Sequence, residues 1–412
     1  MKLFTNILLA AAMAVTSVPA AAQLSVYDMN KPLGWATVGG SVTGGNDENP
    51  VTVTTLSELK SELSGTDKKT IYVKGEIEFT GSVSIKSVQN KTVYGLPGSV
   101  LTNKQDPVKT KKSGVLNISK CKNIILRNLT FKSMGAYDID GNDNLTVDGS
   151  TYIWVDHCDF QDGVDGNFDC VNGSDNICVT WCRFRYLIEP FAGGSGGSAD
   201  HRNSDLWGNS DSRTEDKGKL RTTFANCWWD EGCHERMPRV RFGQVHVANC
   251  LYTCKGNLYC VGAGYNSNLY VEKCAFINVS NPWKCYATSG SKKDYNITMT
   301  GNSGAKDEKS HVGSTAYFNP YDVYTLETFD ADLVKTIVSD PDNGAGATLD
   351  ISEGDKLTTA IGSIAETAAS VTATRYFTAA GTQIDRPQTG LCIIRETMSD
   401  GTVRTRKVMI RK

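Results

Sequence analysis

Over most of the chain, apolar and polar residues alternate in short runs rich in β-branched and aromatic side chains, and each run closes on Gly, Asn or Asp. A period of two predicts strands rather than helices. Five runs share a further feature, a Cys-x-aromatic ending: 152–160 with Cys158 and Phe160, 176–184 with Cys182 and Phe184, 221–229 with Cys227 and Trp229, 244–252 with Cys250 and Tyr252, and 268–276 with Cys274 and Phe276. A sixth run, 123–131, has Leu129 and Phe131 in the same frame. The five cysteines are 24, 45, 23 and 24 residues apart, so the long step is either one coil with an inserted loop or nearly two coils.

A repeat of about 23 residues made of strands and turns cannot bury its apolar face alone and must stack on its neighbours. The 3.6-residue periodicity of helical repeats is missing. The expectation is an all-β parallel β-helix in which Leu129, Cys158, Cys182, Cys227, Cys250 and Cys274 form an interior ladder. Its cysteines then act as small buried hydrophobes. No pair has Cys-x-x-Cys spacing. Cys178 and Cys182, four apart in a strand, would stand about 13 Å from each other, too far to share a zinc ion.

The pattern breaks in three places. Residues 55–63 place leucines at helical spacing, which predicts a short amphipathic helix plugging the open end of the solenoid, between edge strands over 51–54 and 70–77. At the start, Lys2 precedes an apolar run from Leu3 to Val18 that closes on Pro19, Ala20, Ala21 and Ala22. This predicts a secretory signal over 1–22 and a protein that is secreted or held at the cell surface. All 13 cysteines lie beyond it, an odd number, so disulfides cannot account for every thiol. Near the other end the composition shifts, and the turn formers from Asp340 to Ala347 predict a linker over 326–345 between a β-helix domain, 23–325, and a small C-terminal β unit, 346–412.

Charge narrows the partners. With 43 Lys and Arg against 45 Asp and Glu, the net charge of −2 gives no bulk attraction for nucleic acid or anionic membrane. Beyond the leader no membrane span is expected, and the protein is read as a monomer.

The repeat register locates a candidate site. Asp143 lies 15 residues before Cys158, Asp165 and Asp169 lie 17 and 13 before Cys182, and Arg236 lies 14 before Cys250. Similar offsets mean similar angular positions, so three carboxylates from adjacent coils, about 4.8 Å apart, share a face with an arginine further along. Acids that close raise one another's pKa unless a cation is present. Oxygen-only ligation in an exported protein points to Ca²⁺. The competing reading makes Asp165 and Asp169 turn residues of the segment 162–167. The Gly-rich run from Gly193 to Gly197 lacks the Lys-Ser/Thr of a phosphate loop and reads as a flexible insertion. His157, at the end of Trp154-Val-Asp-His157, sits beside the ladder and reads as a buried hydrogen-bonding residue rather than a general base.

Trp154-Val-Asp-His157, the run from Asp165 to Asp169, Gly173-Ser-Asp-Asn176, and Arg236-Met-Pro-Arg-Val-Arg241 with Val245-His246 together resemble the pectate lyases of the pectate/pectin lyase family. The resemblance spans about 30–320. It implies a right-handed parallel β-helix that cleaves α-1,4-polygalacturonate by Ca²⁺-dependent β-elimination to 4,5-unsaturated oligogalacturonides. It also implies Asp143, Asp165 and Asp169 as Ca²⁺ ligands, Arg236 as the proton-abstracting residue and Arg241 as a substrate-carboxylate contact. One departure stands out: the lysine usual before a Gly-x-Ser-Asp segment is missing ahead of Gly208-Asn-Ser-Asp211, which leaves Arg202 as the substitute. The carboxylates favour an acidic substrate over the methyl ester of pectin lyases. The tail, with Tyr376-Phe-Thr-Ala-Ala-Gly381, Gly390-Leu-Cys-Ile-Ile-Arg395, Asp400-Gly401 and a basic run to Lys412, is similar to type IX secretion sorting domains of Bacteroidetes. A carbohydrate-binding or capping unit is the alternative for the tail. For the whole protein the alternatives are a polygalacturonase-like hydrolase and a non-catalytic pectin-binding β-helix.

Overall fold

The computed structural model describes residues 30–287, 292–313, 316–354, 371–378, 382–388, 390–398 and 403–410. The expected signal segment, 1–22, and the Asp400-Gly401 motif lie outside the described residues. The chain divides into two compact units, 1–359 and 360–412.

The first unit is a right-handed parallel β-helix. Each coil contributes one strand to each of three sheets. A typical coil runs through Leu145–Asp148 in sheet III, Thr151–Asp156 in sheet I and Asp159–Gln161 in sheet II, then re-enters sheet III at Phe168–Val171. Among the described residues the sheets have eleven, eight and eight strands for I, II and III. In sheet I, Asp156 pairs with Arg127 and Thr180, Thr180 with Ala225, Ala225 with Ala248, and Ala248 with Glu272. Two residues beyond these partners fall Leu129, Cys158, Cys182, Cys227, Cys250 and Cys274, all fully buried, which is the expected ladder. The direct pairing of Asp175–Thr180 with Thr222–Ala225 makes the 45-residue step one coil with an inserted loop.

The residue before each ladder position turns the corner between sheets I and II in the left-handed region: Asn128, His157, Trp181, Asn226, Asn249 and Lys273 have φ between 45° and 59°. Asparagine recurs there because its short polar side chain tolerates that conformation. The aromatics of the motif stack inside sheet II, with Phe131, Phe160, Phe184, Trp229, Tyr252 and Phe276 at successive centroid spacings of 4.9, 5.1, 5.3, 4.8 and 4.5 Å. Helix α1, Leu56–Glu62, forms where expected; Thr55 and Glu58 make a reciprocal capping box, and Leu59 and Leu63 bury into the core.

The segment expected to be a linker, 326–345, is packed. Helix α2, Ala331–Val338, buries Val334, Ile337 and Val338 against Trp181, Ala248, Leu251 and Ala275 on the outside of the corners. Beyond it, Gly346 N–H donates to the Trp181 carbonyl at 2.8 Å, and the Asn128 side chain bonds both the Leu349 N–H and its carbonyl. The turn formers at 340–347 reverse the chain after the helix and lead it back across the solenoid. The second unit contains, among the described residues, an antiparallel sheet ordered Gln383–Ile384, Val371–Thr378, Gly390–Met398 and Val403–Ile410. No helix among the described residues is long and apolar enough to cross a membrane.

Candidate active site

Sheet III and the loops that feed it carry the acidic residues. Leu145 pairs with Phe168 and Thr146 with Asp169, which puts Asp143 level with Gly166 on the next coil. A Cβ on Gly166 would stand 2.8 Å from Asp143 Oδ1 and 3.4 Å from Asp169 Oδ1, so the missing side chain leaves the two carboxylates a shared space. Asp143 Oδ2 accepts a hydrogen bond from Thr146 Oγ1 at 2.8 Å, and Asp169 Oδ1 accepts one from Leu206 N–H at 3.0 Å. Asp165 Oδ1 faces His201 Nε2 at 3.0 Å, while His201 Nδ1 faces Asp138 Oδ1 at 3.1 Å.

Charge in this cluster is out of balance. Burial pushes the Asp143 carboxyl up to about 7, with Asp165 adding to the shift and Thr146 and Arg236 opposing it. Burial also drives Asp169 well above the carboxylate range, with Asp143 and Asp165 pushing the same way and Arg236 opposing. Like charges in a desolvated site favour protonation unless positive charge is supplied.

Arg236 enters from the turn before strand Arg239–Val240. Its φ of +61° is unusual for a long side chain, and it is held by Asp205 N–H donating to the Arg236 carbonyl at 2.6 Å and by Met237 N–H donating to the Cys260 carbonyl at 2.8 Å. Its Nε is buried and finds no hydrogen-bond partner among the described residues. Burial pulls its pKa down, but Asp169, Tyr259, Glu235 and Asp165 outweigh that and raise it. Asn203 turns its amide nitrogen to Glu235 Oε1 at 3.1 Å and its oxygen to Arg236 Nη2 at 3.3 Å.

The structure therefore brings Asp143, Asp165, Asp169 and Arg236 together and treats the other two arginines differently. Arg241 donates to Asp211 Oδ1 at 2.6 Å and to the Gly208 carbonyl at 2.7 Å, so it is already fixed at the rim. The Arg202 guanidinium forks onto both oxygens of Asp200, at 2.8 and 2.6 Å, and is not drawn into the acidic cluster. Three residues join the site that motif reasoning passes over: His201, Asn203 and Arg239. Burial lowers the Arg239 pKa, and the neighbouring charges of Arg241 and Arg236 lower it further. Its guanidinium carbon sits 4.4 Å over the Tyr286 ring. His157 is fully buried, bonds Asp156 through Nδ1 at 2.8 Å and stacks on Trp181, away from this chemistry.

Among the described residues, no three His, Cys, Asp or Glu side chains are already gathered as metal ligands. The donor set nonetheless fits a hard cation: Asp143, Asp165 and Asp169 offer oxygens only, the space beside Gly166 is lined by Asp143 and Asp169, and burial first, then the neighbouring carboxylates, raise the pKa values of those two.

Comparison with known proteins bears on the family and the fold. The family model described as pectate lyase matches residues 1–348. The chain is 32% identical over 262 residues to pectate lyase plyB of Emericella nidulans, covering 60% of this chain and 71% of the relative. It is 30% identical over 311 residues to pectate lyase E of Dickeya chrysanthemi, covering 66% and 77%. Among solved structures, a pectate lyase bound to hexasaccharide aligns at a TM-score of 0.59 and 20% identity, covering 78% of this chain and 98% of that one. A pectate lyase from Paenibacillus sp. 0602 aligns at 0.62 and 14%, covering 80% and 99%.

Proposed function

From the premise that the chain belongs to the pectate lyase family and is a polysaccharide lyase, we propose that it cleaves α-1,4-polygalacturonate by Ca²⁺-dependent β-elimination, releasing 4,5-unsaturated oligogalacturonides. The observation that carries this reading is the acidic cluster of Asp143, Asp165 and Asp169, short of positive charge and set against Arg236. These three aspartates would hold Ca²⁺, which when bound neutralises the substrate carboxylate and makes the C5 proton more acidic. Arg236 takes that proton, the C4–O bond breaks as the C4–C5 double bond forms, and the departing glycosidic oxygen is protonated from water.

An arginine base requires a neutral guanidinium, which is normally inaccessible. Here the influences that hold Arg236 protonated are mainly the nearby acids, while burial acts the other way. Compensating Asp169 and Asp165 removes much of the upward pull and leaves the desolvation that favours loss of the proton. Arg241, held by Asp211 at the rim, presents its remaining N–H groups to a uronate carboxylate. Arg202 has a local partner in Asp200, so its substrate role requires exchange of that fork for a substrate carboxylate.

The test is the ultraviolet absorbance of polygalacturonate digests with and without added Ca²⁺. Absorbance from the unsaturated product is expected, lost on chelation and restored by Ca²⁺. Cleavage without that chromophore would overturn elimination in favour of hydrolysis, and full activity in excess chelator would overturn the metal assignment.

A further inference from the structure

Loop 104–112 carries Lys104, Lys109, Lys111 and Lys112 within nine residues. It feeds strand Leu116–Ser119, which pairs with Leu145–Asp148 so that Gly114 stands level with Asp143 one coil away. The approach is tight, since a Cβ on Gly114 would lie 2.7 Å from the Asp143 carbonyl oxygen. The loop thus lies about 4.8 Å along the solenoid axis from Asp143, on the side away from Arg236. A polymer touching Arg236, Asp169 and Asp143 crosses the coils in that order, with the coil of Leu206–Trp207 between the first two, so its next units pass over this loop.

A cleft of about 450 Å³ opens there, between Lys109, Lys111 and Val108 on one side and Tyr137, Ile139 and Ser195 on the other. Lys111 is exposed and forms no ion pair among the described residues, and the one ion pair of Lys109 among them is with the half-buried Asp106 at 2.7 Å. Val108 is 52% exposed, an apolar surface beside the two cations. The opposite wall is the Gly-rich segment expected to be flexible, and the structure ties it down. Asp138 accepts the Ser198 N–H through Oδ2 at 2.6 Å and the Gly196 N–H through its carbonyl at 2.9 Å, and the Tyr137 hydroxyl donates to the Gly193 carbonyl at 3.2 Å. A Cβ on Gly196 would fall 2.0 Å from Asp138 Oδ1, so this close approach requires glycine.

We propose that this cleft is a distal subsite for a further uronate of the same polyanion, with Lys109 and Lys111 receiving carboxylates and Val108 and Tyr137 facing the sugar ring. The proposal rests on the polygalacturonate reading and adds a length requirement to it: chains long enough to reach the loop bind better than those confined to the acidic cluster. The test is the double variant Lys109→Ala, Lys111→Ala. Exposed ion pairs are worth a few tenths to one kcal/mol each, so the ratio of kcat/KM on polygalacturonate to kcat/KM on trigalacturonate should fall about fivefold, through KM on the polymer. The loss should shrink as salt is raised. An unchanged ratio, or equal losses on polymer and trimer, would overturn the subsite. A native gel containing polygalacturonate separates this from the parent reading, because retardation needs no turnover. A wild-type protein that is retarded but yields no unsaturated product defeats the lyase reading and leaves the subsite standing if the variant runs faster. Equal mobility of the two proteins defeats the subsite.

Discussion

Two buried acidic sites lie on this solenoid within a few coils of each other, and they are built on opposite principles. At the end of strand Thr151–Asp156, the Asp156 carboxylate meets His157 Nδ1 at 2.8 Å, accepts from Thr180 Oγ1 at 2.5 Å and ion-pairs with Arg127, whose Nε stands 2.9 Å away and whose guanidinium lies 5.6 Å over the Trp154 ring. One negative charge meets one guanidinium, and the carboxylate is ringed by donors. On sheet III, Asp143, Asp165 and Asp169 share Arg236, and burial plus mutual repulsion drives Asp143 and Asp169 toward their protonated forms. A paired buried charge serves the fold, whereas an unpaired group of them lowers stability and is retained where something else completes it.

The most severe way to break this contrast is Arg236→Lys. The change keeps a positive charge near the acids, so the melting temperature should hold, but it removes the group proposed to take the C5 proton. Turnover should fall roughly 10²–10⁴-fold, the range for a positioned proton-transfer residue, with KM little changed. Near-normal turnover at saturating polygalacturonate would move Arg236 into the same class as Arg127, an ion-pairing residue.

The next largest effect belongs to the other site. Asp156→Asn removes the carboxylate that faces the buried Arg127 guanidinium, and breaking such a pair costs about 3–5 kcal/mol. Urea unfolding should show that loss, while turnover per folded molecule stays near wild type because His157 and Asp156 lie away from the sheet III cluster. A stable variant with weakened turnover would erase the distinction between the two sites.

The contrast also shows which parts of the molecule the sequence encodes openly. A solenoid repeats its angular positions, so the ladder from Leu129 to Cys274 and the shared face of Asp143, Asp165, Asp169 and Arg236 follow from residue offsets alone. Strand alternation likewise places Arg239 with Arg241, two residues on. The register is lost inside the inserted loop, and the surprises come from there: His201 and Asn203 reach the cluster, and Arg202 is captured by Asp200 two residues earlier, a local pairing that no period announces. The strap after residue 326 is opaque for a related reason. Its turn formers have the same composition whether they float as a linker or, as here, return a helix and its following strand-like chain onto a folded surface.

The smallest and most discriminating test lies just ahead of that strap, where Tyr321 and Tyr324 cover a buried ionisable pair on sheet I whose hydrogen bonds are satisfied while its histidine is neutral. His246 Nε2 faces Glu272 Oε1 at 2.8 Å, and His246 Nδ1 meets the Tyr324 hydroxyl at 3.0 Å. The Tyr321 hydroxyl donates to the same Glu272 oxygen at 2.5 Å, and Tyr270 packs edge-on to the imidazole. Donation from Nε2 to Glu272 and acceptance at Nδ1 from Tyr324 satisfy every polar atom of a neutral ring; a second ring proton would confront the tyrosine hydroxyl. Burial holds the His246 pKa below its ordinary value, although Glu272 pulls it the other way. An unfolded histidine binds its proton near pH 6.5, whereas the folded one binds it only at lower pH, so over that interval the unfolded state carries more protons and stability falls as pH falls. Urea midpoints measured downward from pH 7 should therefore decline more steeply for wild type than for His246→Gln, whose amide keeps a donor for Glu272 without titrating. Identical pH slopes in the two proteins would show that Glu272 compensates the charged imidazole as fully as Arg127 compensates Asp156, and would place the His246–Glu272 pair with the balanced site rather than between the two.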